Sequence, residues 1–319
     1  MKIVLPGGSG QVGTVLARAF HLEGHEVVVL SRRPRSQPWR VVGWDGTNLD
    51  GWSKELDGCD VVINLTGRSV NCRYTAANRK QILDSRVRST RVLGLAVERA
   101  VSPPRVWLQA STATIYAHRY DAPNDEATGI LGGSEPGAPD TWNFSIDVAR
   151  SWERTFDEVV APGTRKIALR SAMTMSPDRG GVFDALLGLV RLGLGGRFGD
   201  GRQYVSWIHH RDFVGAVRWL IQHDEVQGMV NVAAPEPLPW AEFMRVLRQA
   251  AGVRIGLPAA KWMLEAGAFL MRTETELILK SRRVVPGRLL EHGFKFKFPM
   301  WKEAARDLCL RPCDPGRST

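Results

Sequence analysis

An apolar run, a turn with glycines at positions 7, 10 and 13, and a stretch of helical spacing follow one another directly in KIVLPGGSGQVGTVLARAFHLEG, residues 2–24. Glycine lets a backbone turn sharply and come close to a ligand with no Cβ in the way. A helix that opens at about Gln11 then aims unpaired N–H groups and the positive end of its dipole at the turn. Gly13 lets that helix lie close against the strand. The order strand, glycine turn, helix predicts the first part of a βαβ unit whose turn holds a pyrophosphate. A tight turn without a ligand is the alternative.

The pattern continues along the chain. Runs that are apolar at nearly every position stand at 26–31 (EVVVLS), 61–66 (VVINLT), 105–111 (RVWLQAS) and 166–171 (KIALRS), with a weaker one at 39–44 (WRVVGW). Helical spacing fills 11–23, 78–100 and 141–161. Continuous apolar strands suit a sheet covered on both faces. Their alternation with helices predicts an α/β fold, a Rossmann-type doubly wound parallel sheet. The later chain is looser. Residues 121–140 and 193–203 read as Gly-rich loops, 204–221 as a strand entering a helix, 229–250 as strand, turn and helix, and GFKFKFP (293–299) as a late alternating strand. The expected division is a Rossmann domain over 1–171, with 204–233 returning to it. A smaller, mostly helical C-terminal substrate domain is expected from 172–203 and 234–319.

The end of the second strand separates two dinucleotides. A site for NAD places an acid there, to accept a hydrogen bond from the ribose 2′-hydroxyl. Here the strand ends in Ser31, Arg32 and Arg33. A carboxylate would repel a 2′-phosphate, whereas a guanidinium pairs with it through two hydrogen bonds. The expected cofactor is NADP(H).

Bulk composition closes off other classes. Lys and Arg number 43 against 33 Asp and Glu, a net charge of +10. The basic residues are scattered, and neither an RNA-binding aromatic signature nor zinc-finger spacing accompanies them, so no nucleic-acid partner is expected. Cysteines at 59, 72, 309 and 313 lack the spacing of a metal site and read as free thiols, so no metal is expected. The apolar stretch 182–196 is short and interrupted by Arg191, and KIVLP begins at residue 2, so neither a membrane span nor a signal peptide is expected. A soluble cytoplasmic protein acting on a small molecule follows, with oligomeric state unreadable.

The segments GGSGQVG, VVINLTG, QASTATIY and VSWIHHRD together resemble the extended short-chain dehydrogenase/reductases, the NAD-dependent epimerase/dehydratase family. Residues 63–93, 151–156, 194–212 and 276–299 resemble its atypical epimerase-like branch, which carries its own C-terminal domain. The resemblance implies that Gly7, Ser9, Gly10, Gln11, Val12 and Gly13 hold the pyrophosphate and that Ser31, Arg32 and Arg33 hold the 2′-phosphate. It places Leu65, Thr66 and Gly67 beside the adenosine and its ribose. Ala110, Ser111 and Thr112 fall beside the nicotinamide ribose, and Ser171, Ala172 and Met173 beside the ring. Thr112 falls on the family's catalytic Ser/Thr position, four residues before Tyr116.

One family feature is missing. Such proteins carry Tyr-x-x-x-Lys on the helix after that strand, where the lysine lowers the tyrosine pKa and the tyrosine moves the proton that accompanies hydride transfer. Here those places fall on Ser145 and Ala149, and none of the four tyrosines is followed four residues later by lysine. Three readings stay open. Another group donates the proton, with Tyr74, Tyr116 and Thr112 as candidates. The protein binds NADP(H) as a non-catalytic regulator or scaffold. Or it reduces a substrate, such as a quinone or enone, that needs little proton assistance. An NADP(H)-dependent oxidoreductase with a nonstandard active site is the leading expectation, and a sugar-nucleotide epimerase the weakest. His209 is expected to bond Asp212 or backbone, and the cluster Lys280, Arg282 and Arg283 reads as a contact surface or an exposed helix end.

Overall fold

The computed structural model describes residues 1–135, 139–259 and 276–310. Its strands are β1 Lys2–Pro6, β2 Glu26–Ser31, β3 Arg40–Gly43, β4 Val61–Asn64, β5 Val106–Thr112, β6 Arg165–Ser171, β7 Met173–Met175, β8 Tyr204–Val205, β9 Trp207–His209, β10 Gly228–Val232 and β11 Leu238–Pro239. The longer helices are α1 Gln11–Leu22, α2 Ala76–Arg99, α3 Asp140–Asp157, α4 Val182–Arg191, α5 His210–Gln222 and α6 Trp240–Ala250.

Seven strands form one parallel sheet in the order β10-β6-β5-β4-β1-β2-β3. The chain winds outward from β1 to β3, returns to lay β4 beside β1, and then winds the other way. The carboxyl ends of β1 and β4 therefore flank the switch point, where a doubly wound sheet opens a crevice for ligands. Helices cover both faces, which is why the strands are apolar throughout. Ile3 and Leu5 pack with Leu16 and Phe20 of α1 and Phe213 and Leu220 of α5 on one face. Val4 and Val28 pack with Leu93 and Val97 of α2 and Phe156 of α3 on the other.

A second core gathers α4, α6 and the final helix, Trp301–Leu310, around Trp207, Trp240 and Phe243. Trp301 stacks on Phe243 with centroids 4.1 Å apart. Two small sheets, β7 with β9 and β8 with β11, join this core to the large one. Helix α5 packs on the large sheet and β10 is one of its strands, while β8 and β9 belong to the small sheets.

GFKFKFP is not a strand. The Asp212 carboxylate accepts the N–H groups of Lys297 and Phe298, both at 2.8 Å, so a side chain takes the donors that a neighbouring strand would have used. Residues 281–285 run back across the Rossmann half. Asn124 N–H donates to Arg283 O, Val285 N–H donates to Asn124 O, and Ser281 N–H donates to His118 Nδ1. Residues 260–275 and Cys313 lie outside the described residues; Cys59, Cys72 and Cys309 are free thiols. Among the described residues, no helix is long and apolar enough to cross a membrane.

Candidate active site

The glycine turn sits at the switch point. Gly7 has φ +73°, and a Cβ there would come within 2.7 Å of Thr66 Cα at the tip of β4. A Cβ on Gly13 would meet Gly8 Cα at 2.4 Å, so α1 lies directly on the turn. Gly10 differs. A Cβ there would meet only Gly7 O, at 3.8 Å, so the protein's own packing does not call for glycine at this place. The open side of Gly10 faces outward at the start of α1, whose N-cap carries no side-chain hydrogen bond. Two buried polar atoms border the same turn without a hydrogen-bond partner, Gln11 Nε2 and Thr66 Oγ1. Free N–H groups, an open glycine and two orphaned polar atoms fit a diphosphate.

Beside the turn lies a hollow of about 240 Å³, walled by Gly8, Ser9, Thr14, Ser31, Arg33, Arg35 and Trp39, among others. Ser31 Oγ donates to Ser9 Oγ at 3.2 Å, which ties the end of β2 to the turn. Arg32, Arg33 and Arg35 are exposed, and their guanidinium groups form no ion pair or hydrogen bond among the described residues. Three unneutralised cations at one loop suit a phosphomonoester dianion. Arg33 walls the hollow and Arg32 does not. Arg35 was not singled out from sequence, and its position two residues beyond Arg33, across Pro34, was the available signal.

The other end of the cleft holds a pocket of about 230 Å³ beyond the carboxyl end of β5. Its polar lining is Tyr74, Arg86, Ser111, Thr112, Thr114, Ser145 and Glu276, and its apolar walls include Val70, Ile82, Phe144, Val148 and Trp152. Ala149 also lines it, so both places of the missing Tyr-x-x-x-Lys pair face this pocket. The Tyr74 hydroxyl lies 3.4 Å from Ser145 Oγ, and Ser145 donates to Glu276 Oε2 at 2.5 Å. The Tyr74 ring packs edge-on against Phe144 at 5.0 Å. Arg282 Nη2 stands 3.9 Å from Glu276 Oε1. Thr112 Oγ1 accepts the N–H of Thr114 and leaves its hydroxyl hydrogen for the pocket.

The structure brings Tyr74 and Thr112 together and separates Tyr116 from them. Tyr116 is buried, 2% exposed, with its ring in the core. Its hydroxyl donates to Asn231 Oδ1 and accepts from Arg170 Nη1, each at 3.0 Å. Burial raises its proton affinity, with Arg170 opposing. Tyr116 thus sits in the core beside a buried ion pair, in which Arg170 grips both oxygens of Glu153 at 2.8 Å. The Ser111 hydroxyl donates to the same Glu153 at 2.5 Å, so its side chain is committed inward. Leu65 and Thr66 border the turn, Gly67 lies against Arg86, and Ser171, Ala172 and Met173 carry β6 over into β7.

His209 bonds backbone, one of the two expected alternatives: its Nδ1 accepts the Arg211 N–H, and its Nε2 lies 3.3 Å from Asp307 of the final helix, not from Asp212. Lys280 and Arg282 are no exposed helix end. They are 1% and 9% exposed, with Lys280 donating to Thr114 O and Arg282 to Thr114 Oγ1, directly beneath the pocket. Glu276 and Arg86 were missed because nothing in the local sequence marks them, and the sequence shows Lys280 and Arg282 as a cluster without showing that they are buried.

Comparison with known proteins shows the family. Residues 3–137 match the NAD dependent epimerase/dehydratase family and residues 259–308 match the domain of unknown function DUF1731. The chain is 31% identical to the bovine epimerase family protein SDR39U1 over 312 residues, which span 97% of this chain and 99% of that protein. The crystal structure of human epimerase family protein SDR39U1 (isoform 2) with NADPH superposes with a TM-score of 0.84 at 28% identity, covering 97% of this chain and 99% of that one. A nucleoside-diphosphate sugar epimerase from Corynebacterium glutamicum gives a TM-score of 0.73 at 26% identity, over 97% of this chain and 58% of that one.

Proposed function

Because the chain belongs to the NAD-dependent epimerase/dehydratase family, and because its cleft joins a diphosphate cradle to a small pocket, we propose that it is an NADP(H)-dependent oxidoreductase acting on a small, flat carbonyl or conjugated compound. Gly7, Ser9, Gly10, Gln11, Val12 and Gly13 hold the diphosphate. Ser31, Arg32, Arg33 and Arg35 hold the 2′-phosphate. Leu65, Thr66 and Gly67 border the adenosine side; Ala110, Ser111, Ser171, Ala172 and Met173 border the nicotinamide side, Ser111 through its backbone. The coenzyme supplies a hydride when bound. Tyr74 donates the accompanying proton to the substrate oxygen, and Thr112 orients that oxygen through its free hydroxyl hydrogen. Ser145 fixes the phenol, and Glu276 fixes Ser145.

The observation that carries this reading is the convergence of Tyr74, Thr112 and Ser145 on one pocket that also faces the vacated lysine place at Ala149. At about 230 Å³ the pocket falls below the roughly 300–1,000 Å³ of sites for drug-sized ligands. That disfavours a sugar nucleotide and favours a quinone, enone or small aldehyde. The test mixes purified protein and NADPH with a panel of those compounds and follows the nicotinamide absorbance. Turnover that falls about 10²- to 10⁴-fold in Tyr74→Phe supports the assignment. Turnover unchanged by Tyr74→Phe removes Tyr74 as donor. Tight NADPH binding with no turnover of any compound replaces the enzyme by a coenzyme-occupied regulator.

A further inference from the structure

A phenol that gives up a proton in a buried pocket leaves a negative charge there, and burial alone makes that harder. On α3 the place for a supporting cation is Ala149. The space beside it is filled from α2. The Arg86 guanidinium lies over the Trp152 ring, 5.0 Å from its centroid. It donates to two main-chain carbonyls, Arg68 O at 3.1 Å and Ile82 O at 3.0 Å. It also underlies the tip of β4, where a Cβ on Gly67 would come within 3.0 Å of its Cζ. Among the described residues no carboxylate pairs with it. A cation withdrawn from water without a counterion is costly to keep.

Two cations act on Tyr74. From 276–282 come Glu276, linked through Ser145, and Arg282, which interacts with Tyr74 and also stands 3.9 Å from Glu276. On α2, Arg79 Nε is engaged with the Tyr74 carbonyl, and Arg73 precedes Tyr74 in the chain. On α3, Ser145 is neutral. Of these two cations among the described residues, Arg86 is the one that lines the pocket and has no carboxylate partner.

We infer that Arg86 is the positioning residue that replaces the missing lysine, a guanidinium delivered from α2 that eases proton release from Tyr74 while it pins the coenzyme-facing turn through Arg68 and Gly67. The inference rests on Tyr74 as proton donor. Burial pulls the Arg86 proton affinity down to about 10, with Tyr74 opposing, so the group stays charged at neutral pH and is drawn to a phenolate.

The test reads Tyr74 directly and needs no turnover. The chain has four tyrosines, so the phenolate ultraviolet titration of the full protein minus that of Tyr74→Phe isolates one group. The expected midpoint lies about one unit or more below the ordinary phenol value of about 10. Arg86→Met should raise it by about one to two units, and Arg86→Lys should hold it near the wild-type value. A wild-type Tyr74 that titrates at or above about 10 overturns the inference, and this measurement decides alone if Arg86→Met does not fold. A folded Arg86→Met with an unmoved midpoint, or Arg86→Lys titrating like Arg86→Met, overturns it as well. Absence of turnover with every compound in the panel would instead overturn the proposed reaction and leave the titration standing.

Discussion

At the proposed phosphate end, Gly7, Ser9, Gln11, Ser31 and Arg33 come from one continuous stretch, residues 7–33, and much of what they offer a ligand is backbone. At the pocket end, Tyr74, Arg86, Thr112, Ser145 and Glu276 come from separate elements spread over residues 74–276, and the grip is all side chain. The first end needs a turn of fixed shape, which glycine provides wherever it occurs. The second needs only that certain groups meet, and groups from different helices can meet in more than one way. On the proposed reading, a supporting cation comes from α2 in place of α3 while the glycine turn keeps its pattern.

The largest expected effect tests the rigidity of the phosphate end. Gly13→Ala puts a methyl within 2.4 Å of Gly8 Cα, a backbone atom with nowhere to go. NADPH affinity should fall by up to about a hundredfold, since every 1.4 kcal/mol is about tenfold and overpacking costs of order 1–3 kcal/mol. Fluorescence titration checks this; wild-type affinity would mean that the diphosphate binds elsewhere. Arg33→Glu is next. It swaps an unpaired cation for an anion at the hollow beside Ser31, and NADPH should weaken about ten- to a hundredfold while NADH changes by less than about twofold. Equal weakening of both coenzymes would show that Arg33 does not read the 2′-phosphate.

The same contrast decides what was legible in the sequence. The parallel sheet could be read because each buried strand is apolar along its length, and the cradle because its residues are neighbours in the chain. Tyr74 was reachable only as one of four tyrosines, its place in the pocket being set by Phe144 and Ser145, seventy residues on. Tyr116 misled because it stands near the carboxyl end of β5 in sequence, while Arg170 and Asn231 of the neighbouring strands draw its hydroxyl into the sheet. Lys280 and Arg282 look like surface charges, and only the path of 281–285 across the Rossmann half buries them. A pattern of alternating Phe and Lys predicted a strand at 293–299, but pairing is not local, and Asp212 took the donors.

If Tyr116 is a core residue and Tyr74 is not, removing each hydroxyl separates the two roles. Tyr116→Phe leaves Asn231 Oδ1 and Arg170 Nη1 without their shared partner inside the protein. Stability should fall by about 1–3 kcal/mol in denaturant unfolding, with kcat/KM within about twofold of wild type. A loss of turnover as large as that of Tyr74→Phe, at unchanged stability, would return Tyr116 to the active site.

The smallest effect concerns the charges beneath the pocket, which have no counterpart at the phosphate end. Burial, with Arg282 adding to it, lowers the Lys280 proton affinity from 10.5 to about 8. Between those values the unfolded chain holds a proton that the folded chain has released. Stability from this group is therefore complete above about pH 10.5 and declines as pH falls towards 8. Raising the pH from 8 to 9.5, below the range of the raised phenols, should stabilise the wild type by up to about 1 kcal/mol per pH unit. Lys280→Met should lower that slope by the Lys280 contribution, because methionine fills the same space with nothing to titrate, and leave what Tyr74 and the buried Cys59 thiol contribute. The free energy of unfolding at three pH values in each protein reads the difference. An equal slope in both would mean that Lys280 is solvated and that the segment from 276 to 285 does not seal the pocket floor.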